Sequence, residues 1–282
     1  MVQEKKIVFN RGLRNHESVN GTSLAFDDDV AQKILEDIRR EFGLDYEKQS
    51  YITKRKMERF ALKNELHSFE ELHRRLTSSA LLKEGLVNLL TVGETYFYRE
   101  FPQIAKIVSL IEKERVKKIL CAPCSSGEEV YSILIEASMR GIEISDVSIC
   151  GIDINTEALA KAAEGLYTSR SLSKLSDKTV ARYFKPEEKG FRISATLKGS
   201  ATFVHCNVFD PSPLSHQRFD AVFSRNMLIY FSDGDKRRAL QSIHRLLRPG
   251  GYLFLGHADI AFTPEGFDTV RENGVTFYRK KV

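Results

Sequence analysis

Residues 117–132 read Lys117-Lys118-Ile119-Leu120-Cys121-Ala122-Pro123-Cys124-Ser125-Ser126-Gly127-Glu128-Glu129-Val130-Tyr131-Ser132. An apolar run ends in a turn of small residues, and a helical pattern over 128–139 starts directly behind it. Strand, tight turn and helix form the first half of a βαβ unit. The alternation then repeats down the chain. Further apolar strand candidates lie at 147–154, 201–207, 219–224 and 251–256, with helical stretches at 156–165 and 233–247. A last strand, 275–279, follows an Asn273-Gly274 turn. The pattern predicts a doubly wound α/β sheet.

In such a sheet, ligands bind at the carboxyl ends of the strands, near the switch point of the strand order. The loop 121–129 lets a ligand approach the backbone through small residues. Its single glycine excludes a G-x-G-x-x-G dinucleotide loop, and it lacks the lysine of a P-loop. Glu128 and Glu129 either complement the helix dipole or meet a ligand with hydroxyls and positive charge; they would repel a pyrophosphate. Asp153 ends the second strand, where an acid meets ribose hydroxyls or, with Asn155, caps the next helix. Together these loops favour a nucleoside-containing ligand. In 219–231 the polar triplet Ser224-Arg225-Asn226 interrupts an apolar stretch, as a turn or as a ligand contact.

The rest of the chain bounds its class. It has 282 residues, 42% hydrophobic and 29% charged, which excludes collagen-like, low-complexity and wholly disordered classes. No apolar run approaches the ~20 residues that cross a bilayer, so no direct membrane insertion is expected. No apolar stretch of signal-peptide length follows Lys5 and Lys6, so no signal peptide is expected. Four cysteines do not make a disulfide scaffold, and the expected location is the cytoplasm. The formal charge of +5 admits nucleic acid, a membrane surface or an acidic protein as partner.

Where the charge sits matters more. Residues 1–101 hold 17 cations and 17 anions, so the surplus lies beyond them. Residues 1–26 read as a flexible extension and 27–92 as a helical N-terminal domain, with helices from Asp27 to Gly43 and over 47–66, 68–77 and 81–92. At ~100° per residue, Lys48, Arg55, Lys56, Arg59 and Lys63 share an arc of about 100° on the second helix. Thr53, Met57, Phe60 and Ala61 form the neighbouring, packing face. The cationic stripe is either a solvated surface or a dock for an acidic partner.

Several segments occur in order: Thr95-Tyr96-Phe97-Tyr98-Arg99-Glu100, Ser125-Ser126-Gly127-Glu128-Glu129-Val130-Tyr131-Ser132, Asp153-Ile154-Asn155, Arg225-Asn226-Met227-Leu228-Ile229-Tyr230-Phe231 and Leu247-Arg248-Pro249-Gly250-Gly251-Tyr252-Leu253. Together they resemble the CheR-type chemotaxis receptor methyltransferases of bacteria, over about residues 27–280. The resemblance implies methyl transfer from S-adenosylmethionine (SAM) to glutamate side chains of cytoplasmic receptor helices, leaving S-adenosylhomocysteine and adjusting signalling during adaptation. It implies a class I methyltransferase domain over 93–282, with a small antiparallel β-subdomain inserted near 171–205. By motif position, Thr95 and Arg99 lie against cofactor and substrate, and Glu129 near the amino end of SAM, with Glu128 the neighbouring choice. Asp153 holds the ribose, Asn207 and Val208 flank the adenine, Asn226 and Met227 contact the methionine part, and Tyr230 sits beside the methyl. Arg99 and Tyr230 are the catalytic candidates, and the stripe becomes a dock for the receptor's helical bundle. Gly93 departs from the family, in which many members carry Asn there. The short 185–191 stretch lacks the extra loop residues of members that bind a receptor pentapeptide, so no such tether is expected.

Other readings fit less well. A nicotinamide oxidoreductase needs the missing glycine loop. A nucleic-acid amino-methyltransferase carries an Asn-Pro-Pro-Tyr-like block where this chain reads Arg225-Asn226-Met227-Leu228, so nucleic acid is not the expected partner. A non-enzymatic SAM-binding regulator is the alternative that Gly93 motivates. Cys121-x-x-Cys124 has no second pair to complete a zinc site, so no metal is expected.

Overall fold

The computed structural model describes residues 26–46, 50–91, 93–114 and 116–282. Lys48 and residues 1–25 of the expected extension lie outside these. Phe26 is packed: its ring meets Phe69 edge to face at 4.7 Å.

Four helices come first. α1 (Asp28–Phe42) starts where the Asp27 carboxylate accepts the Asp29 N–H, and it stops at Gly43, whose φ of +75° few other residues adopt. α2 (Ser50–Lys63) ends before the expected 66 because Glu65 turns to a φ of +60°. α3 (Phe69–Ser78) and α4 (Ala80–Leu90) are capped by the hydroxyls of Ser68 and Ser79. α5 (Phe101–Glu114), absent from the sequence reading, leads into the sheet.

The sheet contains β1 (Lys118–Cys121), β2 (Ser148–Asp153), β6 (Ala201–His205), β7 (Phe219–Ser224), β8 (Leu247–Leu255), β9 (Phe267–Glu272) and β10 (Val275–Lys280). Their order is β6-β2-β1-β7-β8-β10-β9. The first five run parallel, and the β9–β10 hairpin adds antiparallel strands at the edge. The order reverses around β1, which places the switch point between β1 and β7. Helices α6 (Glu128–Met139), α7 (Thr156–Glu164) and α10 (Asp233–Leu246) provide crossovers.

The inserted sheet is smaller and earlier than 171–205. It consists of β3 (Leu166–Tyr167), β4 (Phe184–Glu187) and β5 (Gly190–Ile193) in the order β3-β5-β4, with α8 (Asp177–Tyr183) leading into β4 and α9 (Ala195–Gly199) following β5. Residues 201–205 pair with β2 and belong to the main sheet. Gly190 closes the β4–β5 turn at φ +151°, and a Cβ there would stand 2.4 Å from the Tyr167 carbonyl oxygen.

Two apolar layers sandwich the main sheet. One joins Ile104, Val108, Ile133, Leu134 and Phe223 with the inserted sheet. The other runs without a break from Ala31, Ile34 and Leu72 of the N-terminal helices to Leu120, Val222, Ile243 and Leu253. The N-terminal helices therefore share a core with one face of the sheet, which holds them against the carboxyl ends of its strands.

Candidate active site

A cavity of about 650 Å³ opens at the carboxyl ends of β1, β2 and β7, within the range of small-ligand sites. Thr95, Arg99, Glu129, Asp153, Asn207, Val208, Asn226, Met227 and Tyr230 all line it. The chain thus brings together residues that span 136 positions. Glu128 is not in the wall. It is buried, and its carboxylate accepts the hydroxyls of Ser126 (2.8 Å) and Ser171 (3.3 Å).

Asp153 is buried at the end of β2. Its Oδ2 accepts the Ser125 N–H at 2.8 Å and its Oδ1 the Asn155 N–H at 2.9 Å. Burial raises its carboxyl above the ordinary value, against the lowering effect of these N–H donors. Each oxygen keeps a second lone pair for a ligand hydroxyl. Asn155 caps α7 and also donates to Thr91 Oγ1 (2.8 Å), which fastens the end of α4 to the cavity wall.

The Asn207 side chain is already engaged. Its Nδ2 donates to the Glu41 carbonyl (2.7 Å) and its Oδ1 accepts the Phe209 N–H (2.9 Å). It ties β6 to α1, and Val208 supplies the apolar surface. Asn226 sits at φ +58°, a strained position for a non-glycine residue. Its N–H donates to Asp259 Oδ2 at 2.7 Å, an oxygen that also accepts the Gly256 N–H at 2.7 Å. Asp259 is fully buried. In the sequence it is an acid just past the strand candidate 251–256.

Arg225, expected in a turn or a ligand contact, ties the wall together. Its side chain is 3% exposed and lies between Glu129 Oε2, at 2.5 Å from Nε, and the Arg99 carbonyl, at 2.9 Å from Nη1. It joins the loops after β7 and β1 to the segment before α5. The other carboxylate oxygen of Glu129, Oε1, is buried. The Glu129 carboxylate also stands against the buried Cys121 thiol, and as an acid in the cavity wall it suits a cationic group. Arg99 donates from Nη1 to the Glu94 carbonyl at 2.6 Å, and its guanidinium lies 5.9 Å from the Tyr96 ring centroid. Tyr230 stands 42% exposed at the mouth.

α2 divides the cationic stripe. Thr53, Met57 and Ala61 are buried, as the helical pattern predicts. Lys56 and Thr53 line the cavity, while Arg55, Arg59 and Lys63 are exposed outside it. Cys121 and Cys124 are buried free thiols, and burial pushes both well above their ordinary value. Among the described residues no group of three or more His, Cys, Asp or Glu is placed to hold a metal ion. Nor is any described helix long and apolar enough to cross a membrane.

The wall thus offers carboxylates at Glu94, Glu129 and Asp153, apolar surface at Val208 and Met227, and cations at Arg99 and Lys56. It fits a nucleoside with hydroxyls and a positive charge, as SAM has. The family described as "CheR methyltransferase, SAM binding domain" matches residues 93–274. A "Chemotaxis protein methyltransferase" of Campylobacter jejuni is 36% identical over 220 residues, covering 77% of this chain and 83% of that protein. A "Chemotaxis protein methyltransferase 2" of Vibrio cholerae is 34% identical over 226 residues, covering 75% and 78%. A "Probable biofilm formation methyltransferase WspC" of Pseudomonas putida is 28% identical over 237 residues, covering 81% and 56%. The chain belongs to the CheR methyltransferase family and is a SAM-dependent methyltransferase.

Proposed function

We propose that this enzyme methylates glutamate side chains on the cytoplasmic helical bundle of a chemoreceptor, working in the cytoplasm during adaptation. The observation that carries the reading is α2: one helix contributes Thr53 and Lys56 to the cavity and presents Arg55, Arg59 and Lys63 outward. Tyr51, Ile52 and Leu62 are exposed on the same helix. A face that mixes cations with apolar groups suits an amphipathic acidic helix better than a phosphate backbone. In this division of labour, residues 27–92 dock the substrate and 93–282 hold the cofactor and the reacting groups. The β4–β5 turn is short, which favours recognition without a pentapeptide tether.

The chemistry asks little of the protein beyond placement. SAM supplies an electrophilic methyl on a sulfonium. A glutamate carboxylate, with a reference pKa of ~4.3, is ionised at neutral pH and needs no general base. Orientation and desolvation can contribute ~7–11 kcal/mol to such a step. Arg99, held by the Glu94 carbonyl, keeps N–H groups free to align a carboxylate. Tyr230 borders the mouth through which the carboxylate enters. Glu129 and Asp153 hold the cofactor's amino group and ribose, and Val208 and Met227 give apolar contacts.

Labelled SAM with candidate receptor cytoplasmic fragments tests the reading. The expected product is a base-labile methyl ester on glutamate. Arg99→Ala is expected to lower transfer at least ~100-fold, the scale of a misplaced reactant, while S-adenosylhomocysteine binding is largely kept. A base-stable product, or full activity in Arg99→Ala, would overturn it.

A further inference from the structure

Two positions in the cavity wall invert their usual conformational preferences. Ser125 adopts φ +47°, where glycine is at ease and serine is strained. Gly93 has no such backbone need, since its φ is not in the left-handed region. What Gly93 supplies is room. A Cβ there would lie 2.3 Å from Ser125 Oγ and 3.4 Å from Ser125 Cβ. The hydroxyl of Ser125 occupies the space a side chain at 93 would fill, and both residues line the cavity.

A serine kept at a strained position points to a use for its side chain. The Ser125 N–H holds the strain in place by donating to Asp153 Oδ2 at 2.8 Å. Among the described residues its Oγ has no hydrogen-bond partner. We infer that Ser125 is a cofactor-binding residue whose hydroxyl donates to the carboxylate of the methionine half of SAM, and that Gly93 is small to leave that hydroxyl its place. The inference rests on SAM as cofactor and is independent of which protein is methylated.

For the carboxylate the wall has cations at Arg99 and Lys56, and Ser125 adds a neutral hydroxyl donor in the loop after β1. Glu129, an acid in the wall, suits the ammonium. Asp153, already taking one N–H on each oxygen, keeps lone pairs for ribose hydroxyls. These acids repel a carboxylate, which needs neutral or cationic donors. The hydroxyl of Ser125 is such a donor, and its backbone already touches the acid at the ribose position.

Calorimetric titration without substrate tests this with S-adenosylhomocysteine and with 5′-methylthioadenosine, which keeps the nucleoside and thioether and lacks the amino-acid group. Ser125→Ala is expected to weaken S-adenosylhomocysteine about 10-fold, the scale of a hydrogen bond to a charged group, and to leave 5′-methylthioadenosine unchanged. Ser125→Gly relieves the backbone and is expected to lose the same affinity in a chain at least as stable, which separates contact from misfolding. Gly93→Ala turns the hydroxyl away, so it weakens S-adenosylhomocysteine alone and adds no further loss in the Ser125→Ala background. Unchanged affinity in Ser125→Ala, equal loss for both ligands, or additive losses in the double variant would each overturn the assignment.

Discussion

Replacing Arg225 by methionine probes the centre of the cavity wall. The guanidinium is 3% exposed and the Glu129 side chain 11%, so their pairing is shielded from water. Removing one partner of a buried ion pair costs about 3–5 kcal/mol, because the other charge stays buried. The hydrogen bond to the Arg99 carbonyl goes with it, so the upper part of that range is expected. At ~2–4 °C per kcal/mol for a chain of this size, the melting temperature falls by roughly 8–20 °C. The mechanism has a distinguishing signature. Arg225 also stands 3.8 Å from Glu100 Oε2, so Glu129→Gln, added to Arg225→Met, neutralises the nearer of two stranded carboxylates and is expected to recover part of the loss. Arg225→Lys keeps the charge but loses the two-sided fork, and falls between. Thermal and urea unfolding of the four proteins at neutral pH measures all of this. A loss under about 1 kcal/mol in Arg225→Met, or no recovery on adding Glu129→Gln, would show that the pair does not organise the wall.

Two further outcomes follow from neighbouring features. Burial raises the Glu128 carboxyl above its ordinary 4.5, with the Ser126 and Ser171 hydroxyls partly opposing the shift. The native state then holds a proton that the unfolded chain releases, so Glu128 stabilises the fold below that ordinary value and this contribution is lost as pH rises through the native value. Urea unfolding at pH 5 and 7.5 is expected to show a flatter pH dependence in Glu128→Gln; identical slopes would contradict the buried acid. Reversing Arg55 and Arg59 to glutamate is expected to weaken methylation of a receptor fragment about 10-fold or more, through lost complementarity at the docking face, and to spare S-adenosylhomocysteine affinity. Unchanged kinetics would remove α2 from substrate recognition.

Much of the fold was legible because it rests on local patterns. Strand candidates at 117–122, 147–154 and 219–224 match β1, β2 and β7 within a few residues, since buried parallel strands read as continuous apolar runs. The inserted sheet was harder. β3 has two residues, β4 and β5 four each, too short for a period to show. β9 buries a single residue, Phe267, and otherwise looks like a polar loop. β8 starts at Leu247, which pairs with Phe219, whereas the expected helix runs to 247 and the expected strand begins at 251, because Pro249 and Gly250 lie between them.

By itself the sequence determined the alternating elements, the acids at strand ends and the helix faces, because each is set by spacing along a few turns or strands. Only the tertiary structure decided how those faces meet. It put Lys56 in the cavity and left Arg55, Arg59 and Lys63 outside, a choice that depends on what packs against α2 and not on its helical angles. It engaged the Asn207 side chain at the end of α1, 166 residues away. It paired Arg225 with Glu129 and the Arg99 carbonyl across separations of 96 and 126 residues. Such pairings carry no local period, since they exist only where the sheet brings distant loops to one edge and burial makes an unmatched charge costly.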